Sequence, residues 1–432
     1  MMGQIIAALR DGFAPLRLPN VRTYLGGQAI SLVGTWMQMT AQAWVVWEIS
    51  HSSAALGIVA MLGFLPLLVL GPVAGVIADR LDRRRILLVS QTVAMVQAFA
   101  LALLVQTGTI ALWHVYVLAA LLGAVGAVDF PAQQAFIGDL SGLQNLRKAI
   151  VLNTMTFQVS RMLGPVLAGV VIAGFGSATA FWLNGISFLA VIGSLLAVRG
   201  HQVRHTGRGS PVGDFLEGLR VVVRQPRMQD LIAFSVLVTF FGISIMTILP
   251  AVAAQVLRGQ ADVLGFLMGA SGGGALFGAL VVVPLAQHAR RTGMVVGGAA
   301  VWTGLWIAAL SFSRSLPLSA LAMFLSGSTF PVVLTTTNGL IQFMAPQHMR
   351  ARIVTAMIMV SFGAQPLAAF LVGHSAEAFG ALAALRVNGI LMAAGALALL
   401  FLRPGLRHWE PGARPLEPER RPAEIREEAV RA

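Results

Sequence analysis

The sequence predicts an all-α integral membrane protein whose twelve transmembrane helices form two pseudo-symmetric six-helix bundles. Three observations support this fold class: apolar runs of membrane-spanning length recur, basic residues alternate between the two sides of these runs, and positions of the first half return in the second. Of the 432 residues, 57% are hydrophobic and 11% are charged, whereas about a quarter are charged in soluble domains. The composition therefore argues against a soluble globular protein.

Twelve apolar segments reach the length of about 20 residues that crosses a hydrocarbon core about 30 Å thick. Each must be helical, because a backbone that faces lipid has to satisfy its hydrogen bonds within the segment. The predicted spans are 24–48, 54–78, 86–106, 112–133, 148–173, 178–198, 230–255, 262–287, 293–312, 317–344, 352–373 and 379–402.

The Lys and Arg residues indicate how these spans are oriented. All but four of the 30 lie in the terminal segments or in every second loop, which places both termini on the cytoplasmic side by the positive-inside rule. The exceptions are Arg161, Arg258, Arg314 and Arg386. Because the basic residues flank apolar segments and do not form one face, the net charge of +13 does not indicate a nucleic-acid partner.

The second half of the chain repeats positions of the first. Phe130-Pro131 returns 200 residues later as Phe330-Pro331, and Pro165 returns 201 residues later as Pro366. The predicted organisation is a first six-helix half (1–198), a cytoplasmic inter-half loop (199–229), a second six-helix half (230–403) and a disordered cytoplasmic tail (404–432). Two parallel six-span repeats, with a binding site at their interface near the midplane, are typical of secondary transporters.

A cluster of charges, DRLDRRR at 79–85, directly follows the second span. With the four residues before it, GVIADRLDRRR resembles G-x-x-x-D-R-x-G-R-R, the signature loop of the major facilitator superfamily. The matching residues are Gly75, Asp79, Arg80, Arg83 and Arg84, and Asp82 replaces the usual second glycine. The stretches LRLPNVRTYLGGQAISLVGTWMQ and DFPAQQAF are more closely similar to the drug-proton antiporter group, which includes the enterobactin exporter and macrolide efflux proteins.

This resemblance covers essentially the whole chain and implies a role for the charged cluster. In the superfamily, the aspartate that matches Asp79 faces the positive end of the eleventh span. The arginine that matches Arg83 pairs with an acidic residue at the inner end of the fourth span, for which Asp129 is the match. The implied conformational latch consists of Gly75, Asp79, Arg80, Arg83, Arg84 and Asp129. The alternative is that the arginines only anchor the loop at lipid headgroups.

The fifth span carries a second motif, SRMLGPVLAG at 160–169. It resembles the superfamily's antiporter motif, G-x-x-x-G-P-x-x-G-G, with Gly164, Pro165 and Gly169 as matches, and the resemblance implies export. The alternative is a packing kink, since proline bends the helix and small residues permit close contact. Arg161 lies deep in the same span, where it is expected either to bind an anionic group of a substrate or to satisfy backbone carbonyls as a structural cation.

Uncharged polar residues on several spans predict a substrate cavity. The predicted lining consists of Gln38, Gln42, Asn153, Gln158, Arg161, Thr336, Asn338, Gln342 and Gln365. Met, Trp and amide side chains together favour large amphipathic substrates, because adaptable apolar walls with few fixed donors favour breadth over selectivity. The alternative for each of these residues is a hydrogen bond between helices.

Together, the motifs and the resemblance predict a secondary active transporter of the bacterial inner membrane, acting as a monomer without metal or cofactor. We expect it to export a drug, a siderophore or a metabolite by alternating access. Proton antiport is implied by the resemblance, although the fourth span lacks the basic residue often present in proton-coupled relatives, and Asp129 is the acidic residue there that could titrate. An enzyme is not expected, and no Gly-rich nucleotide-binding loop is present. The alternative function is a non-transporting membrane scaffold that retains the fold.

Overall fold

The computed structural model of the protein describes residues 13–198, 211–287, 289 and 291–403. Helices dominate these ranges, and no β-strand occurs within them. The helices are α1 (Pro19–Ser50), α2 (Ser53–Arg80), α3 (Arg83–Gln106), α4 (Leu112–Gly142), α5 (Gln144–Phe175), α6 (Ser177–Ala197), α7 (Pro211–Arg224), α8 (Pro226–Val256), α9 (Ala261–Ala286), α10 (Thr292–Leu310), α11 (Leu316–Met344), α12 (Arg352–Phe379) and α13 (Ala381–Leu402).

Eleven of the helices in the described ranges, α2 to α6 and α8 to α13, are long and apolar enough to cross a membrane. The remaining predicted span, 24–48, corresponds to α1, whose 32 residues are long enough but more polar. Its polar side chains do not face lipid, because Gln28, Gln38 and Thr40 are all buried against neighbouring helices. With α1 as the twelfth transmembrane helix, the predicted all-α fold of two six-helix bundles is confirmed.

The fourth predicted span, 112–133, ends too early. Pro131 lies inside α4, which continues to Gly142, because neighbouring helices in a membrane can compensate for the hydrogen bond that a proline removes. At Gly142 the backbone has φ 65° and ψ 166°, a conformation that glycine adopts without steric cost. This residue separates α4 from α5.

The predicted inter-half loop, 199–229, contains the helix α7. Val222 of α7 is buried, and Glu217 of α7 forms an ion pair with Arg352 at the start of α12. The part of the loop at 199–210 and the predicted disordered tail at 404–432 lie outside the described residues, as do residues 1–12.

The two ends of the bundle carry different charges. The basic end includes Arg83, Arg84 and Arg85 at the start of α3 and Arg352 at the start of α12. The opposite end includes Glu377, near the end of α12, which accepts hydrogen bonds at the start of α2.

The halves α1–α6 and α8–α13 meet along two helix pairs, α2 with α12 and α5 with α9. Glycines make both contacts close. A Cβ atom at Gly57 of α2 would lie 2.8 Å from the carbonyl oxygen of Ala369 and 3.0 Å from Cα of Gly373. On the second pair, a Cβ at Gly169 of α5 would lie 2.9 Å from Cα of Asp262. Small residues of this kind let membrane helices pack backbone to backbone, and both pairs form the seam between the halves.

Candidate functional site

Arg83, the first residue of α3, forms an ion pair with Asp139 near the end of α4. One guanidinium nitrogen lies 2.7 Å from each carboxylate oxygen, and the side chains are only 13% and 17% exposed. The predicted pairing of Arg83 with Asp129 is therefore wrong. The error follows from the early end that was assigned to the fourth span. Asp139 occupies the last turn of the longer helix. Asp129 lies about 15 Å further from this helix end, at a rise of about 1.5 Å per residue.

Asp82, which departs from the superfamily's glycine, caps the start of α3. Its carboxylate accepts hydrogen bonds from the backbone N–H groups of Arg84, at 2.9 Å, and Arg85, at 3.3 Å. An acidic N-cap satisfies donors that the helix leaves unpaired and complements its dipole. The guanidinium of Arg84 donates to the carbonyl of Leu196 at the end of α6, at 2.8 Å. Arg85, in contrast, is 86% exposed.

The other predicted latch residues, Gly75, Asp79 and Arg80, lie in the helix α2. For residues 72–80 the structure describes the backbone alone, so the side chains of Asp79 and Arg80 lie outside its description. The expected contact of Asp79 with the start of the eleventh span, α12, stays a prediction.

Asp129 lies near the middle of α4 and is 8% exposed. Its carboxylate accepts hydrogen bonds from Ser90, from Gln91 at 3.0 and 3.1 Å, and from Gln133. Gln133 in turn accepts a hydrogen bond from Gln28 of α1, at 2.9 Å. Within the described residues no cation pairs with Asp129, so its environment consists of neutral donors.

Arg161 lies about midway along α5, beside the seam. Its guanidinium carbon is 5.7 Å from the ring centre of Trp36 on α1 and 5.5 Å from that of Phe330 on α11. The side chain is partly exposed, and within the described ranges it has no carboxylate partner and no hydrogen bond. The two rings therefore come from different halves and flank one cation.

The predicted antiporter motif supplies contacts on two sides of α5. A Cβ at Gly164 would lie 2.8 Å from the carbonyl oxygen of Val33 and would also clash with Trp36, so this glycine lets α1 approach. Gly169 faces α9, and both it and Pro165 are buried. The motif thus holds α5 against one helix of its own half and one helix of the other.

Gln38 does not line a cavity, contrary to the prediction. It is 2% exposed, donates to Oε1 of Gln97 at 2.8 Å, and accepts from Nδ2 of Asn184 at 2.7 Å. These partners lie on α3 and α6, so Gln38 connects three helices within the first half. The alternative interpretation, a hydrogen bond between helices, is the correct one for this residue.

We expect Gln38→Leu to lower the free energy of unfolding by about 1–3 kcal/mol, because Gln97 and Asn184 would each lose a buried partner. Thermal unfolding of the purified protein in detergent measures the change. Gln42→Leu is the matched control: Gln42 lies on the same helix, is only partly buried, and should change stability by less than about 0.5 kcal/mol. Equal losses of stability in Gln38→Leu and Gln42→Leu would contradict the assignment of Gln38 as a connection between three helices.

The remaining predicted cavity residues occupy both halves. Asn153 and Gln158 of α5 are partly buried, as is Gln42 of α1. In the second half, the side-chain oxygens of Thr336 and Gln365 are buried and have no hydrogen-bond partner among the described residues, and Asn338 accepts from Gln342 at 2.6 Å. A cavity of about 250 Å³ at the opposite end, lined by Trp44, Glu48 and Gln260 among others, includes none of the predicted residues.

Sequence reasoning missed a contact across the seam at the opposite end. Glu377 of α12 accepts hydrogen bonds from the backbone N–H of Ser53 at 2.6 Å, the N–H of Ala54 at 3.3 Å and the hydroxyl of Ser52 at 3.2 Å. A carboxylate from the second half therefore caps the first turn of a helix in the first half. Residues 377 and 53 are too far apart in sequence for a motif to reveal the pair. Asp139, in contrast, could have been found by extending the fourth span past Gln133.

Known proteins similar to the chain are membrane transporters. The family model described as transmembrane secretion effector matches residues 10–427. The multidrug efflux pump Tap of Mycolicibacterium fortuitum is 28% identical over 364 residues, which cover 80% of this chain and 87% of that protein. The enterobactin exporter EntS of Shigella boydii is 23% identical over 385 residues, covering 89% and 92%. The staphyloferrin A transporter of Staphylococcus aureus is 23% identical over 372 residues, covering 85% and 92%.

Solved structures share the fold at low sequence identity. An inward-facing, unoccupied bacterial homologue of the human lysosomal transporter Spinster superimposes with a TM-score of 0.70 at 13% identity, covering 92% of this chain and all of that one. The nucleoside transporter NupG gives a TM-score of 0.68, also at 13% identity, covering 90% and 99%. Fold, family model and relatives agree, and the chain belongs to the transmembrane secretion effector family of major facilitator superfamily transporters.

Proposed function

We propose that the protein exports small amphipathic molecules, such as a drug, a siderophore or a metabolite, by alternating access. Relatives that are named as a multidrug efflux pump and as an enterobactin exporter support this direction of transport. The observation that carries the proposal is the seam, where glycine contacts join α2 to α12 and α5 to α9. Two halves whose main contacts are such closely packed helix pairs are suited to rocking about a site between them.

In this cycle the opposite end opens when Glu377 leaves the start of α2 and Gly57 separates from Gly373. The basic end then closes through the charged loop, in which the pair Arg83–Asp139 holds α3 against α4 and so positions the loop before it. We place the basic end in the cytoplasm of a bacterial inner membrane, because arginines concentrate there and the positive-inside rule assigns such an end to the cytoplasm. Gly75, Asp79, Arg80 and Arg84 complete the proposed latch.

Asp129 is the proposed site of proton coupling. An ionised carboxylate near the middle of a membrane helix is costly unless a cation offsets it. Within the described residues Asp129 has neutral donors only. Uptake of a proton in one state of the cycle and its release in the other would couple transport to the proton gradient, because the stability of the charged form depends on the surrounding donors.

We expect Asp129→Asn to leave folded protein in the membrane and to lower proton-driven export at least about tenfold, because an amide cannot carry the proton. Accumulation of a fluorescent drug in inside-out vesicles, with and without a proton ionophore, measures coupled transport. The control is Asp262→Asn, which removes an exposed carboxylate at the opposite end and should transport normally. Ionophore-sensitive transport that persists in Asp129→Asn would assign coupling to another group.

Untargeted mass spectrometry of intracellular and secreted metabolites tests export itself. A strain that lacks the protein is compared with the same strain expressing wild type or Asp79→Asn at matched membrane levels, with and without a panel of drugs and siderophores. We expect at least one compound to be secreted only with wild type, which would identify the substrate. If no compound differs among the three, export is the wrong function.

A further inference from the structure

We infer that Arg161, between the rings of Trp36 and Phe330, recognises the carboxylate of an aromatic amphipathic substrate. The inference rests on the proposed export function and deepens it by naming the substrate class and the group that binds it. Neither the family description nor the relatives' names assign a role to this arginine.

The charge environment of Arg161 favours an anion from outside the protein. A guanidinium in the middle of a membrane helix is costly without an opposite charge or hydrogen-bond acceptors. Among the described residues no carboxylate pairs with Arg161 and no backbone carbonyl accepts from it, so the alternative of a structural cation that satisfies carbonyls is not supported. The rings of Trp36 and Phe330 offset part of the cost through cation–π contacts. The N–H donors of the guanidinium, five in all, stay available for a bidentate carboxylate.

The space beside Arg161 favours an aromatic ligand. Phe330 is 54% exposed although it faces a cation of the other half across the seam, and Phe157 is 39% exposed. Phe157 also packs edge-to-face on Trp36, with ring centres 5.6 Å apart. The exposed parts of Phe330 and Phe157 can pack on a ligand ring while the guanidinium of Arg161 holds its acid group. The ligand that fits both features is an aromatic acid.

The position of the site links binding to the movement of the halves. Gly164, one turn after Arg161, lets α1 bring Trp36 against α5. On the other side, a Cβ at Gly272 of α9 would lie 2.8 Å from the carbonyl oxygen of Arg161. Phe330 comes from α11 of the second half, so separation of the halves changes the surroundings of the cation. A ligand held by Arg161 and both rings therefore binds differently in the two states, as a transported substrate must.

The test measures binding of a xanthene dye that carries a free benzoate and of its methyl ester, which share one ring system and differ in the acid group. Fluorescence anisotropy of the dyes with the purified full-length protein in nanodiscs gives both affinities. We expect wild type to bind the acid at least about tenfold more tightly than the ester, since a charged hydrogen bond contributes that much. Arg161→Met should remove the preference for the acid, and Arg161→Lys should retain part of it. Phe330→Leu should weaken the binding of both dyes. Arg258→Met, which removes an arginine at the opposite end, is the control and should leave the preference intact.

Equal affinities of acid and ester in wild type, no binding of the acid, or an unchanged preference in Arg161→Met would each overturn the inference. Because binding needs no turnover, the result is independent of the metabolite experiment that tests export. A protein that exports a compound but shows no preference for the acid retains the proposed function and loses this site. A protein that prefers the acid through Arg161 but secretes nothing retains the site and loses the proposed function.

Discussion

Replacement of Arg83 or Asp139 by alanine is expected to reduce export to background while the protein still reaches the membrane. Each change removes one charge of an ion pair whose side chains are only 13% and 17% exposed. Loss of one member of such a buried pair costs about 3–5 kcal/mol. If that cost falls on one conformation of the cycle, the ratio of the two conformations changes by more than about a hundredfold. Efflux of a fluorescent drug from cells with matched membrane levels measures the loss.

Two matched variants distinguish the loss of this ion pair from a general effect of removing a charge. Arg85→Ala removes an arginine two positions away whose side chain is 86% exposed, and it should export like wild type. The exchange Arg83→Asp with Asp139→Arg restores opposite charges in the same place and should recover part of the activity lost in either single variant. Normal export by Asp139→Ala would show that the pair holds the helices together without serving the cycle.

The sequence predicts the fold well because its strongest constraints are local in a membrane. Apolar runs of a fixed length have to be helices, and arginines at every second loop determine how many cross. The same local logic failed at the end of α4, since the helix continues past the predicted end at 133, through Asp139, to Gly142. That single error of boundary moved the expected partner of Arg83 from Asp139 to Asp129.

The candidate site was less predictable because its chemistry depends on contacts between distant segments. Gln38 and Arg161 are both polar residues in apolar helices, and composition alone cannot separate them. The structure separates them: Gln38 has two amide partners within its own half, whereas Arg161 has two rings and no polar partner in the described ranges. Glu377, the carboxylate that joins the halves at the opposite end, matched no motif and became visible only through its contacts with α2.

The second large effect is expected from one methyl group at the seam. In Gly57→Ala the new Cβ would lie 2.8 Å from the carbonyl oxygen of Ala369 and 3.0 Å from Cα of Gly373. These are backbone atoms, so the helices have to move apart, which costs about 1–3 kcal/mol and draws Glu377 away from the start of α2. We expect the opposite end to stay open and export to fall at least about tenfold, because a cycle needs both ends to close in turn.

Gly63→Ala is the control, because it adds the same methyl group to the same helix at a position with no atom within 4 Å. The chain contains no cysteine, so a single Gln42→Cys on α1 reports access from the opposite end through its rate of labelling by a membrane-impermeant maleimide. Compared with Gln42→Cys alone, labelling should be faster when Gly57→Ala is added and unchanged when Gly63→Ala is added. Slow labelling together with lost export would mean that the contact of α2 with α12 supports folding and not closure. Fast labelling with normal export would mean that export does not require closure at this end. Only fast labelling with lost export fits a seam that has to close in every cycle.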